Sequence, residues 1–251
     1  PNQWSEDGTV SLSAFAPGPN GNYVAYGKST GGSDWKTLYV RNLETGKTLA
    51  DTLKWVKFSN PTWTADGEGF YYGRYPAPTE GEEYEAQNKA QTIYYHEVGT
   101  PQSEDRLVYE RPENPKLGFG TTVTHDGRYL VIQASEGTSE KTELYVKNLQ
   151  ADDAEIRPLV EGFDASYNLI GADGPPFYLQ TTRDAPNRRI IAVDAENPDR
   201  SNWRTVVPES EAVLQGAELV GGKLVVEALT DVKGRLTIHA LDGTREATVE
   251  L

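Results

Sequence analysis

Two-residue turn signals recur along this chain at a nearly constant spacing, and this periodicity constrains the fold more than any other feature. Glycine-containing pairs next to strand-like runs are the strongest short-range hairpin signal, because such turns need backbone conformations with positive φ. Successive pairs lie 46, 60, 47 and 48 residues apart. The five pairs are Asn20-Gly21, Asp66-Gly67, Asp126-Gly127, Asp173-Gly174 and Gly221-Gly222. Each is predicted to join two antiparallel strands.

Strand-like runs surround every turn in the same order. A short apolar run precedes the turn, as at 12–16 and 167–171, and an alternating or aromatic run follows it. The third run reads TLYVRNL, TIYYHEV, ELYVKNL, RIIAVDA and RLTIHAL in the five copies. A weaker, more charged fourth run closes each copy. The pattern therefore predicts five antiparallel four-stranded units of about 50 residues each.

Four-stranded units repeated at this period are typical of the blades of a β-propeller. One such sheet cannot bury both of its faces alone, whereas neighbouring sheets stacked face to face share a continuous core. We expect one all-β domain with the apolar first runs innermost. Its blades are predicted at about 10–58, 59–111, 112–163, 164–211 and 212–251.

Closure of the ring is predicted to occur without a swapped strand. The run at 12–16 begins the first blade and the run at 246–251 ends the last, so no strand is left to cross the seam. Residues 1–7 contain Pro1, Asn2 and Asp7, which are poor strand formers.

Composition and charge exclude several functional classes. The chain has 24 Lys and Arg against 38 Asp and Glu, a formal net charge of −14, which disfavours binding to a phosphate backbone. No run approaches the ~20 apolar residues that span a bilayer, so no membrane partner is expected. With no Cys and only three scattered His, neither a metal nor a cofactor is predicted. No signal-peptide pattern opens the chain, and the compartment stays open.

The chain resembles the propeller domain of the prolyl oligopeptidase (prolyl endopeptidase) family. The resemblance rests on SEDGTVSLSAFAPGPNGNYVAYG, YYHEVGTPQSED and THDGRYLVIQASEGTSEKTELYVKNL, and it extends over essentially the whole chain. It implies a seven-bladed propeller that admits small peptides to an α/β-hydrolase domain cutting after proline. Five blades of the seven are expected here, without the hydrolase domain. The family's partners would be that domain and small peptides, and a monomer is expected.

Candidate catalytic residues are few. Acyl transfer by a serine needs a G-x-S-x-G turn, and the nearest match, residues 31–35, lies in a predicted loop between two strands. Ser33 is therefore interpreted as a turn residue. His96 and His239 fall within third strands and are expected to be satisfied sheet residues, while His125 is expected to flank a turn. No catalytic site is predicted.

Other notable residues have structural interpretations too. Among the five tryptophans, Trp55, Trp63 and Trp203 are expected to pack between sheets. Arg188 and Arg189 adjoin a strand start, and an anion site there is the alternative to a structural role. The long segment 75–91 carries Glu80, Glu82, Glu83 and Glu85, for which a solvated loop is favoured over a Ca²⁺ site.

The favoured function is thus an isolated, engineered or trimmed, non-catalytic propeller that resembles the gating and substrate-filtering domain of the family; the absence of Met and the start at Pro1 favour such an origin. Two alternatives stay open. The chain could be a designed folding scaffold with no ligand. It could instead be a fragment of an active proline-specific serine peptidase whose catalytic domain is not in this chain.

Overall fold

Strands dominate the computed structural model, which describes residues 3–79, 81, 87–151 and 153–249. Contacts divide the chain into two compact units, Pro1–Gly137 with Leu149–Asp152 and Thr138–Asn148 with Asp153–Leu251. The strands of the first unit are β1 Val10–Pro17, β2 Tyr23–Thr30, β3 Lys36–Asn42, β4 Thr48–Val56, β5 Thr62–Trp63, β6 Gly69–Arg74, β7 Thr92–Glu97, β8 Arg106–Tyr109, β9 Leu117–Val123 and β10 Tyr129–Glu136. The strands of the second are β11 Thr142–Asn148, β12 Arg157–Val160, β13 Tyr167–Ala172, β14 Pro176–Thr181, β15 Arg189–Asp194, β16 Arg204–Val207, β17 Val213–Val220, β18 Lys223–Thr230, β19 Lys233–Ala240 and β20 Arg245–Val249.

Helical structure in the described residues is limited to two single 3₁₀ turns, Gln102–Glu104 and Arg200–Asn202. The strand pairs among the described residues are antiparallel, and consecutive strands pair within each repeat. The all-β prediction and the order of four strands per repeat are confirmed.

The five predicted turns all join paired strands. Their glycines hold φ between 70° and 73°, at Gly21, Gly67, Gly127, Gly174 and Gly222. Only glycine adopts this left-handed region without the steric cost of a Cβ atom. The turn pairs therefore act as hairpin connections, as their spacing predicts.

The first two repeats differ from the prediction, because they form one continuous sheet rather than two separate ones. The order is β1-β2-β3-β4-β6-β7-β8, with β5 paired to β6. Strand β5 has only two residues, so most of the β6 edge stays uncovered. The end of β4 fills this place through the pair Val56–Arg74 and the bond from Tyr75 N–H to the Trp55 carbonyl at 3.0 Å.

The buried core lies mainly on the second and third strands of each repeat. In the first unit, one cluster includes Ala25, Leu38, Val40, Phe70 and Tyr72, nearly all without solvent exposure. The middle strands of a sheet have neighbours on both sides, and stacked sheets cover their faces. The first strand β1, in contrast, contributes little to the core.

Side-chain bonds join neighbouring repeats within each unit. In the first unit, Trp63 Nε1 donates to the Ala16 carbonyl at 2.8 Å. In the second, Thr142 Oγ1 donates to the Tyr167 carbonyl at 2.9 Å, and Gln180 Nε2 donates to the Leu214 carbonyl at 3.1 Å. Successive sheets are thus fixed to each other by polar contacts as well as by apolar packing.

The sheet of the last repeat is more deeply buried on one face than on the other. Leu224 and Val226 of β18 are buried against β13–β16. Val225 and Ile238 form a register pair on the opposite face and are only half-buried. The preceding sheet is buried on both faces of its middle strands, Phe177 to Thr181 and Ile190 to Val193. Strands β17–β20 are the only members of the last sheet among the described residues, and residues 3–9 form turns rather than a strand.

Candidate functional site

Ser33 lies in the turn between β2 and β3. Its N–H donates to the Thr30 carbonyl at 3.1 Å, and its Oγ accepts the Trp35 N–H at 3.1 Å. Gly31 and Gly32 precede it with φ of 63° and 73°. The turn interpretation of this segment is confirmed, and the serine hydroxyl is engaged with local backbone.

A polar cavity of about 320 Å³ lies beside this turn and is lined by Ser13, Ser29, Ser33 and Lys36 among others. Lys36 Nζ donates to the Ser59 carbonyl at 2.9 Å and to the Ser13 carbonyl at 3.5 Å. Burial lowers the pKa of Lys36, because desolvation disfavours its charged form. Ser13 Oγ is buried without a hydrogen-bond partner in the described part of the chain.

Aromatic side chains gather around the same end of the first repeat. The Trp35 ring makes edge contacts with Trp55 at 5.8 Å and with Tyr75 at 6.1 Å between centroids. Lys57 Nζ sits 4.9 Å from the Trp35 centroid and 5.4 Å from that of Phe58. We call these residues, Trp35, Trp55, Lys57, Phe58 and Tyr75, the aromatic end.

Backbone strain marks the aromatic end. Trp55 and Phe58 have φ of 64° and 53°, a region that bulky side chains rarely occupy. Phe58 is also 60% exposed. Strain of this kind persists only where surrounding contacts enforce it, and it clusters at active sites, ligand clamps and switch regions.

His96 is held between two carboxylates in the interior of the first unit. Its Nδ1 lies 2.7 Å from Asp105 Oδ1 and its Nε2 lies 3.0 Å from Asp51 Oδ1. The Gly99 N–H donates to Asp51 Oδ1 at 2.7 Å, and the Tyr72 hydroxyl donates to Asp105 Oδ2. These side chains, Tyr72, Asp51, His96 and Asp105, are the histidine cluster.

The electrostatics of the histidine cluster favour a charged imidazole. Burial alone would lower the pKa of His96, but hydrogen bonds and charges from Asp105 and Asp51 outweigh it and raise the pKa to about 9. Burial disfavours the Asp51 carboxylate, yet bonds from His96 and Gly99 leave its pKa below the usual range. Burial and the Asp105 carboxylate raise the pKa of Tyr72. With both ring nitrogens donating to carboxylates, His96 has no lone pair free to act as a base.

The other two histidines also occupy their predicted positions. His239 lies in β19, where Nδ1 is 3.2 Å from the Gly243 carbonyl and Nε2 is 2.9 Å from Thr237 Oγ1. His125 is exposed beside the Asp126-Gly127 turn.

The tryptophans and arginines divide between packing and surface roles. Trp63 is 9% exposed and packs on Phe70, and Trp203 packs edge-on against Tyr167. Arg189 Nη2 lies 3.9 Å from Asp184 Oδ2. The acidic cluster Glu80, Glu82, Glu83 and Glu85 lies outside the described residues, as do Pro1 and Asn2.

No group of three or more metal-ligating side chains comes together among the described residues. Neither 3₁₀ turn in the described ranges has the length or apolar character of a membrane-crossing helix.

Comparison with known families decides what kind of propeller this is. A model of the N-terminal β-propeller domain of prolyl oligopeptidases matches residues 1–251. The chain belongs to this family. The resemblance inferred from the sequence is confirmed, and the antiparallel four-stranded sheets are those of a β-propeller.

Relatives of known name are peptidases. The chain is 39% identical to a prolyl endopeptidase of Elizabethkingia meningoseptica over 86% of its own length and 30% of the relative's. It is 35% identical to prolyl oligopeptidase A of Amanita bisporigera, over 98% of the chain and 35% of the relative. The chain thus spans about a third of the length of these relatives.

Solved structures that are similar to this chain also come from prolyl endopeptidases and prolyl oligopeptidases. One comes from an analysis of two prolyl endopeptidases that concerns inter-domain dynamics in catalysis and specificity, with a TM-score of 0.88, 33% identity and 98% of this chain covered. Another is prolyl oligopeptidase B from Galerina marginata bound to a hydrolysis and macrocyclization substrate, with a TM-score of 0.89, 29% identity and 99% coverage of this chain. The chain covers 35% and 36% of those two structures.

Sequence reasoning placed the three histidines on the right elements but missed the histidine cluster. Asp51, His96 and Asp105 are far apart or irregularly spaced in the sequence, and no motif links them. The strand pattern gives the position of His96, but it does not reveal which acids face it across neighbouring strands.

Proposed function

We propose that this chain is the substrate-filtering propeller of a prolyl-oligopeptidase-type serine peptidase and has no catalytic activity by itself. Its five repeats, at about 10–58, 59–111, 112–163, 164–211 and 212–251, would each be one blade. A hydrolase domain in the rest of the protein would do the chemistry, and small peptides would be the molecules that the propeller admits.

The observation that carries the non-catalytic part is the environment of the candidate nucleophile and bases. A serine peptidase needs a serine hydroxyl within hydrogen-bond reach of a histidine that a carboxylate orients. In the described residues Ser33 bonds local backbone, His96 bonds two aspartates, and His239 bonds Thr237 and a carbonyl. These contacts favour a structural role for each residue.

The aromatic end supports a contact with another domain. It combines the exposed ring of Phe58, a lysine stacked on Trp35, and two strained backbone positions beside a polar cavity. Aromatic rings are enriched at the centres of protein interfaces. In the proposal, this end of the first repeat faces the hydrolase domain.

The scaffold alternative is less well supported, because of the half-open face of the last sheet. A free-standing closed ring would cover that face as fully as the inner faces of the preceding sheet. Val225 and Ile238 are instead half-buried. A further sheet in a longer protein would complete their burial, which favours the origin from a larger peptidase.

Two substitutions separate these possibilities. Ile238→Lys, on the half-open face, is expected to lower the free energy of unfolding by only about 1 kcal/mol, because a lysine at a half-buried position can place its charged end in water. Val226→Lys, on the covered face and 3% exposed, should abolish folding or cost several kcal/mol, since it buries an unpaired charge. An equally large loss for both variants would show that the face is closed and would favour the scaffold.

The filtering role is tested by transferring this chain into a related peptidase. In the Elizabethkingia meningoseptica prolyl endopeptidase, the matched segment is replaced by this chain's corresponding residues, and kcat/KM is measured for a short and a long proline-containing peptide. The chimera is expected to cut the short peptide and to discriminate against the long one, while the isolated chain cuts neither. A folded chimera that cuts both equally well would contradict filtering. Turnover by the isolated chain that Ser33→Ala removes would contradict the non-catalytic assignment.

A further inference from the structure

A second cavity, in the other compact unit, has a different chemical character. It holds about 320 Å³ and lies where the end of β16 and the following connection meet strands β17–β20. Its floor is apolar and includes Val207, Leu214 and Val226, the last two 4% and 3% exposed. A cavity of this size is at the small end of the ~300–1,000 Å³ that small-molecule sites occupy. We call it the arginine cleft.

Three arginines, Arg188, Arg235 and Arg245, line the arginine cleft, and no Asp or Glu lines it. This is unusual in a chain with a net charge of −14. The nearby Glu209 carboxylate accepts the Asn187 N–H at 2.6 Å and is not part of the lining. A cationic concavity in an acidic protein concentrates anions locally.

Most of the other arginines in the same unit are paired with acids. Arg157, Arg183, Arg189 and Arg200 each lie within 4 Å of a carboxylate. Within the described ranges, the side chains of Arg235 and Arg245 have no ion pair and no hydrogen bond. Both residues line the cleft, so their guanidinium groups are available to a ligand.

The Arg188 side chain is held in place by backbone carbonyls. Its Nη1 donates to the Leu214 carbonyl at 3.1 Å and to the Gln215 carbonyl at 3.4 Å. The residue holds φ at 69°, so the local backbone is strained to place it there. Among the described residues its Nε and Nη2 have no partner and can donate to a ligand. A guanidinium fork fixed in this way matches the two oxygens of a carboxylate.

His239 closes the cleft without adding a donor. Its Nδ1 lies 3.2 Å from the Gly243 carbonyl and therefore carries the proton that this bond needs. Its Nε2 lies 2.9 Å from the Thr237 hydroxyl, which then donates to it. Both polar side chains are thus satisfied within the protein. The arginines remain as the groups that recognise charge.

We propose that the arginine cleft binds the carboxylate of a small molecule with an apolar body. The apolar floor would receive the body, and Arg188, Arg235 and Arg245 would hold the carboxylate. The apolar floor disfavours a free inorganic phosphate, which would leave it unoccupied. Two sources share the required chemistry, the C-terminus of a short apolar peptide and a free fatty acid. This inference is independent of the filtering role proposed above.

The test is isothermal titration of the full chain with N-acetyl-Val-Leu, with its C-terminal amide, and with octanoate. At least one of the two acids is expected to bind, and the amide is expected to bind at least tenfold more weakly than its acid. Arg235→Gln and Arg245→Gln should each lower the affinity about fivefold, because each removes one charged contact. Lys233→Gln is the matched control, because it removes one positive charge from the same strand outside the cleft.

Filling the cleft tests the apolar part. Ala212→Leu should abolish binding while all three arginines remain, and Ala228→Leu serves if the first variant unfolds. Tighter binding of octanoate assigns the fatty acid, and tighter binding of the peptide acid assigns the peptide C-terminus. Equal affinity for acid and amide, no binding of either acid at millimolar concentration, or unchanged binding in the filled variants would overturn the proposal.

Discussion

The charge on His96 should make the stability of this protein fall as the pH rises from neutral. In the folded state its pKa is about 9, whereas the ordinary value of 6.5 applies when the chain unfolds. Between these values the folded protein binds one more proton than the unfolded chain. Stability is therefore fully present below pH 6.5 and is lost as the pH passes through about 9.

The magnitude follows from the difference between the two pKa values. A difference of about 2.5 units at ~1.4 kcal/mol per unit corresponds to roughly 3 kcal/mol. The ring and both of its carboxylate partners have no exposed side-chain surface, so water screens this interaction little. The loss is expected mostly between pH 7 and 10.

His96→Gln isolates this contribution. At pH 7 the substitution should cost about 3–5 kcal/mol, because it leaves Asp51 and Asp105 buried without their cation. At pH 10 the wild-type ring is neutral as well, so the difference between wild type and variant should shrink by roughly 3 kcal/mol. His239→Gln is the matched control, since it removes a second buried histidine from the same position of a third strand, whose ring bonds a hydroxyl and a carbonyl instead of two carboxylates.

The assay is urea unfolding monitored by tryptophan fluorescence across this pH range, together with an NMR titration of the His96 ring. An NMR midpoint at or below 6.5 would refute the reasoning. So would identical pH dependence of wild type and His96→Gln.

Further predictions concern turns and the core. Val232 lies in the β18–β19 turn, is 90% exposed and has φ of 64°, which strains the backbone of a β-branched residue. Val232→Gly should remove about 1 kcal/mol of this strain and so raise the melting temperature. Gly222→Val makes the opposite change in the β17–β18 turn, where no atom lies within 4 Å of the new Cβ. It should therefore lower the free energy of unfolding by a similar amount through backbone strain alone. No change in stability for either variant would show that backbone strain is unimportant in these turns. Leu144→Ala should cost about 2–4 kcal/mol in urea unfolding, since Leu144 is 1% exposed, whereas Leu107→Ala at 54% exposure should cost far less. Equal losses of stability for Leu144→Ala and Leu107→Ala would mean that Leu144 does not belong to the buried core.

Periodicity predicted most of the fold. The third strands begin within two residues of the first residues of the third runs, and the weaker fourth run expected in the first copy becomes β4 Thr48–Val56. These elements depend on local alternation and on turns that need glycine, both of which are visible in a single sequence.

The predictions that differ from the structure concern features that the local sequence pattern does not determine. The first strand of the second repeat shrinks to Thr62–Trp63, and the resulting open edge joins two repeats into one sheet. The apolar run at 12–16 predicted a buried strand, yet Leu12 is 42% and Phe15 64% exposed. An edge strand with an alternating pattern can place either face toward solvent, and only the neighbouring sheet decides which one is covered.

The two buried histidines show what the repeat determines and what it leaves open. His96 and His239 occupy the same fifth position of the third run, in TIYYHEV and RLTIHAL. Both lie on strands and both are buried, at 0% and 8% exposure. Arg41, at the same position of the first copy, is exposed, so the shared position alone does not determine burial. The partners of the two histidines differ, because the two repeats place different residues around the same strand position.

Asp105 lies between the 3₁₀ turn and β8, and Asp51 lies in the fourth strand of the preceding repeat. The equivalent surroundings of His239 supply Thr237 and the Gly243 carbonyl, and the arginine cleft opens beside it. The same strand position thus carries a buried ion cluster in one repeat and the wall of an anion-binding cavity in another. The strand pattern fixes the backbone position of each residue, while connections and neighbouring repeats determine its burial and its chemistry. Function in this propeller should therefore be sought where those connections meet the strands.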